Sequence, residues 1–188
     1  MVTPVTTVPL PPRKLDFLSG VYSFFIPGLG QILQGRIGKG VLFLVCIYGL
    51  FFYGMALGEW KNVYLPNYHR DETGPSKVIA DLKSRYQFIP QFFMGAAVWP
   101  SLYQYLAYDP ADNANPPLSG WMREPTVDFI NDHQRNADKR WDLGWVYTVI
   151  AGVLNILVIY DAVAGAAFRR VSESTNTQPT PPSPQVKS

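Results

Sequence analysis

The sequence predicts an all-α membrane protein with about four transmembrane helices, the first broken at Pro27-Gly28, plus one amphipathic interfacial helix. Three observations predict it. Charged residues make up 16% of the 188-residue chain and hydrophobic residues 47%, whereas a soluble domain is usually about a quarter charged. The charges are also segregated. Phe17–Gly35 and Gly40–Gly58 hold 19 residues each, Tyr86–Tyr108 holds 23 and Leu143–Tyr160 holds 18, all without an Asp, Glu, Lys or Arg. Each run is close to the roughly 20 residues a helix needs to cross about 30 Å of hydrocarbon. A helix also satisfies its own backbone there, which an open chain does not.

The first run, FLSGVYSFFIPGLGQILQG, is the least regular. Pro27 removes a backbone donor, and Gly28 and Gly30 loosen the chain, so a kinked span or a re-entrant pair of half-helices is expected. Gly35, Arg36, Lys39 and Gly40 follow as a tight hairpin turn with its two cations at the interface. The second run is the most regular, and Gly54 and Gly58 form a small-xxx-small pair that invites another helix. The third run carries Pro90 and Pro100, read as kinks, and ends in Tyr103, Tyr105 and Tyr108, read as an interfacial belt. A short helix is expected over 76–85. From Pro125 an amphipathic helix should carry Val127, Ile130, Ala137 and Trp141 on one face and Asp128, Asp132, Arg135 and Lys139 on the other. The fourth run should reach about Phe168. The membrane domain is therefore drawn at 15–170, with spans at about 17–35, 40–58, 86–108 and 143–168. Polar tails at 1–14 and 171–188 are expected to be disordered.

A net charge of +2 is too small a bias for a nucleic-acid partner. The single cysteine, Cys46, allows no internal disulfide. Four spans would place ten Lys and Arg on the side of both termini and six on the other, which makes the termini cytoplasmic.

The segment PGLGQILQGRIGKGVLF (27–43) resembles the start of the two-transmembrane-helix domain family, and GWVYTVIAGVLNILVIYDAVAG (144–165) resembles its second part. The resemblance implies a helical hairpin with an aspartate near the end of the second helix, here split by about a hundred inserted residues. Over roughly 17–165 the chain more closely resembles an uncharacterised bacterial membrane family, a domain of unknown function. That implies a bacterial cytoplasmic-membrane location and no known activity.

Asp161 is the residue most in need of explanation, because a carboxylate in an apolar helix must pair, face water or do work. Its candidate partners are Asn155, Gln31, Gln34 and Arg36. An interhelical hydrogen bond is the plain reading, and a proton- or ion-linked site the functional one. Gly30-x4-Gly35 continues as Arg36-Ile37 and so lacks the lysine and hydroxyl of a phosphate loop. His69 and His133 have no second ligand at metal spacing. No nucleophile with a base lies in a span. The expectation is a non-enzymatic protein without metal or cofactor. Its partners are the lipid bilayer and itself or another membrane protein, packing through Gly54, Gly58, Ala162 and Ala166. A small ion- or proton-linked channel or transporter component built on Asp161 and the broken first helix is the alternative.

Overall fold

In a computed structural model, the described backbone covers residues 15–67, 74–107, 117–135 and 139–176. Helices make up its regular structure, and no strand occurs among the described residues. The chain forms α1 (Phe17–Phe25), α2 (Leu29–Leu33), α3 (Ile37–Leu57), α4 (Pro75–Ser84), α5 (Phe88–Phe92), α6 (Trp99–Ala107), α7 (Val127–Arg135) and α8 (Lys139–Asn176). Short 3-10 turns occupy Gly95–Val98 and Pro117–Gly120.

Two helices form the frame. α3 and the Lys139–Gly165 stretch of α8 are long and apolar enough to cross a membrane. Twenty-one residues give α3 a length of about 31 Å. The two run antiparallel. Gly54 and Gly144 sit face to face, so that a Cβ on either would strike the other's carbonyl oxygen, and Arg36 and Lys39 at the start of α3 meet Asp161 near the other end. The glycines expected to bind a foreign helix are therefore used inside the chain. Gly54 packs on α8, and the space beside Gly58 is filled by the Asn62 side chain. Ala162 is fully buried; the side chain of Ala166 lies outside the described residues.

The first and third runs contain no helix of crossing length among the described residues. α1 is capped by Asp16, which accepts from the Ser19 backbone N–H, and ends at Phe25, with Ile26 already extended. Gly28 then takes φ +85°, a left-handed turn that glycine adopts without strain. α2 returns alongside α1: the Gly30 N–H donates to Ser23 Oγ and the Gln34 amide reaches Asp16. Gly30 has no side chain to spare there, since a Cβ would land on the Ser19 carbonyl. Residues 17–34 are thus a short helical hairpin whose ends lie together.

The third run, expected as one kinked span, is three pieces. α5 runs beside α8, with Gly152 against the Pro90 carbonyl. The Phe93, Met94 and Ala97 N–H groups then bond carbonyls three residues back, a tight winding that does not propagate far. Gly95, at φ +56°, reverses the chain against Phe24 and Phe25. α6 leads back until Tyr105 Oη donates to Asp81 on α4. Tyr105 is therefore a buried partner of Asp81 rather than part of an interfacial belt. Tyr103 is exposed, and Tyr108 lies outside the described residues.

Other boundaries differ less. α4 begins at Pro75 and α3 three residues before Gly40. Of the amphipathic helix α7 is described, with Val127 exposed, and α8 is described from Lys139; residues 136–138, Ala137 among them, lie outside the described residues. α8 continues to Asn176, six residues into the expected C-terminal tail. VSESTN contains neither Gly nor Pro, and Pro179 is the first residue that stops a helix. The expected tails at 1–14 and 177–188 lie outside the described residues.

Candidate functional site

Polar side chains gather along the inner face of α8 in three groups. The first is a charged cluster where α1, α2 and α3 meet α8. Asp161 accepts from Lys39 Nζ at 2.6 Å, forms an ion pair with Arg36 Nη1 at 3.0 Å and accepts from Gln31 Nε2 at 3.2 Å. These partners arrive together because the α1–α2 hairpin folds Gln31 back beside the α3 start. Gln31 also donates to the Val158 carbonyl, and Gln34 to the Ala162 carbonyl. Gln34 belongs to Asp16 rather than to Asp161, since its amide donates to the Asp16 carboxylate. The Ser19 hydroxyl hydrogen bond holds Asp16 below the usual carboxylate value; partial burial opposes it, and the Gln34 and Ser19 N–H bonds reinforce it. The α1 entrance is tied to α8 directly, Asp16 N–H donating to the Val163 carbonyl at 3.1 Å.

The second group lies where the two broken segments meet. Asn155 is not a partner of Asp161. Its amide nitrogen donates to the Ser23 carbonyl at 3.2 Å and to the Phe93 carbonyl at 2.6 Å. One side chain therefore joins the tip of the α1–α2 hairpin to the end of α5. Phe24 and Phe25 seal the same junction against Phe93 and Trp99. α1 covers α8 from Val163 to Asn155 and α5 covers it from Asn155 to Thr148, so the two approach from opposite ends of the frame.

The third group closes the far end. Gln91 donates to Thr148 Oγ1 at 2.8 Å, Asn62 donates to the Gly54 carbonyl at 3.0 Å, and Arg85 donates to the Asn62 carbonyl at 3.0 Å while stacking on Tyr64. Gln104 donates to the Trp121 carbonyl and to that of Pro117. His133 approaches Glu59 at 3.4 Å and stacks on Phe129, so it is a packed residue rather than a solvated one.

Sequence reasoning passed over Ser23, Asn62, Asp81 and Thr148, all fully or almost fully buried, together with Gly144 and Gly152. The available signal was position: Gly144, Thr148, Gly152 and Asn155 recur at helical spacing of three and four, marking one inner face of α8.

A small all-helical protein with two helices of membrane-crossing length and polar contacts between them is the class these features define. The chain belongs to a family of unknown function (DUF6677), whose sequence profile matches residues 18–175. Neither the curated proteins nor the solved structures hold a match to it.

Proposed function

We propose that this is a non-enzymatic integral membrane protein that crosses the bilayer twice, carries two hairpins re-entering from opposite faces, and acts by associating with a second copy through α3. The observation that carries the membrane reading is the inverted distribution of polarity. Ser23, Gln31, Asn62, Asp81, Gln91, Thr148 and Asn155 are inside, while Leu42, Val45, Phe52, Leu154, Leu157 and Tyr160 face out. Only 28% and 33% of the two apolar windows are buried, whereas the core helix of a soluble protein would be mostly covered. Apolar exposure on this scale suits hydrocarbon.

Under this reading both termini share one side. The basic residues divide seven to nine rather than ten to six, so their count no longer selects which side is cytoplasmic. The association surface moves from Gly54 and Gly58 to the opposite face of α3. Gly38, Leu42, Val45, Gly49 and Phe52 recur there at spacings of three and four, and a Cβ on Gly38 or Gly49 would meet nothing within 4 Å. Small residues in an open apolar stripe permit close helix approach in lipid. Cys46 is exposed on that face and supplies the test. Oxidation of membranes containing the wild-type protein should give a Cys46-linked dimer, and Gly49→Leu should reduce its yield. An undiminished yield in Gly49→Leu, or no dimer at all, contradicts the assignment.

One observation favours a second reading, passage of a small polar solute. The side-chain oxygens of Asn155, Gln91 and Asn62 are buried with no hydrogen-bond partner, and such groups call for water or an ion. Asp161 suits this poorly, because Arg36 and Lys39 already occupy its two carboxylate oxygens. Proteoliposomes no more permeable to water or protons than empty ones remove this reading.

A further inference from the structure

We propose that α4 lies in the headgroup layer of an anionic bilayer, with Ile79 in the apolar boundary and Lys83 on lipid phosphate, an inference that rests on the membrane reading above. The polarity of α4 is turned inside out. Its one buried residue is Asp81, whose carboxylate accepts from Tyr105 Oη at 2.9 Å. Burying a carboxylate is costly without such a partner, and the bond fixes how α4 is rotated. Residues advance about 100° round a helix, so Ile79 and Lys83, two places to either side of Asp81, fall on the opposite face. Ile79 is 53% exposed and Val78, on its flank, 40%. Lys83 is exposed, and its ammonium has no hydrogen bond or ion pair among the described residues.

Two further features favour a bilayer over a protein partner. Lys77 and Lys83 are the cations of α4 and its single carboxylate is buried, so the helix presents positive charge only, which complements an anionic headgroup layer. The helix is also tethered close to the membrane. Three residues separate Ser84 from Phe88, where α5 begins, a span of at most about 14 Å, and α5 opens the second re-entrant hairpin of the membrane reading. Tyr86, Ile89 and Phe92 are exposed along that entry, so the outward apolar surface of α4 continues onto α5. A helix with apolar residues on its outer face and basic ones beside them suits the interface. The Lys83 stem, one turn beyond Ile79, lies along the acyl boundary while its ammonium reaches the phosphates.

The test is hydrogen exchange of the full chain, one copy per nanodisc, in phosphatidylcholine and in phosphatidylglycerol. Residues 76–84 should exchange about fivefold more slowly in the anionic lipid, the effect of one lysine at a charged surface, and salt at about 1 M should erase the difference. Lys83 and Ile79 are exposed, so Lys83→Gln and Ile79→Gln should fold. Lys83→Gln should lose most of the difference between the lipids, and Ile79→Gln should speed exchange in both. Equal exchange in the two lipids, a full difference retained in Lys83→Gln, or the same slowing in every helix overturns the proposal. Slow exchange in both lipids that Ile79→Gln leaves unchanged marks a cover of protein instead and overturns it too. Failure here with a protein that still requires amphiphile removes only the docking of α4; a protein that stays dissolved without amphiphile removes the membrane reading itself.

Discussion

At the scale of single residues, Asp161 does the work of a clamp. Its two cations come from the N-cap and first turn of α3 and its carboxylate from α8, so one residue ties the start of the frame to its end. Removing the carboxylate leaves Arg36 and Lys39 side by side without compensation. Asp161→Asn should lower stability by about 2 kcal/mol, the scale of hydrogen bonds to a charged group. On an Arg36→Gln/Lys39→Gln background the loss should be smaller, which a double-mutant comparison by thermal unfolding in detergent will read. Asp16 makes a pH prediction. Its folded value is lowered, chiefly by Ser19, so its contribution is full above the ordinary carboxylate value and fades as pH falls through the lower folded value. Acid should therefore cost the wild type stability that Asp16→Asn has already lost, narrowing the gap between them. The partners of Asp161 were partly legible, because few polar side chains occur in the apolar runs. The assignment of Gln34 to Asp16 and of Asn155 to the hairpin tip was not, since it depends on a chain reversal that no spacing encodes.

At the scale of elements, the fold depends on places where backbone meets backbone. Gly152 lies against the Pro90 carbonyl, and Gly152→Ala forces α5 off α8; a loss of about 1–3 kcal/mol is expected for such overpacking. Asn155→Leu keeps the branched shape, at a larger volume, but leaves the Ser23 and Phe93 carbonyls without their donor. It should cost about 1–3 kcal/mol and increase deuterium uptake in residues 17–34 and 88–98 together, because one side chain secures both. Uptake confined to one segment would count against a shared junction. The break at Pro27-Gly28 could be read directly, since proline and glycine act locally; the turn expected over 35–39 is shorter, because α3 already begins at Ile37. The third run could not. Pro90 and Pro100 both sit in first turns of helices, where proline is tolerated, and the reversal falls between them at Gly95, an inconspicuous glycine in an apolar stretch.

At the scale of the whole molecule, apolar length alone predicted four crossings, but a run of 19 or 23 uncharged residues is equally able to enter and return. What separates the cases is where the backbone groups freed by the break find partners. Here Asn155 on α8 donates to the Ser23 and Phe93 carbonyls, and Ser23 Oγ accepts from the Gly30 N–H. Irregular backbone at membrane depth is tolerated only with such cover. The helical class and the two long helices followed from composition; the breaking of the first and third runs into short helices did not. The two topologies pair the loops differently. In a Cys46→Ser background, single cysteines at Leu15, Gly38, Lys61 and Asp128 can be labelled with a membrane-impermeant maleimide in sealed vesicles. Two crossings predict that Leu15→Cys and Gly38→Cys react from one side and Lys61→Cys and Asp128→Cys from the other. Reaction of Leu15→Cys together with Lys61→Cys, opposite Gly38→Cys and Asp128→Cys, would contradict the account and restore four.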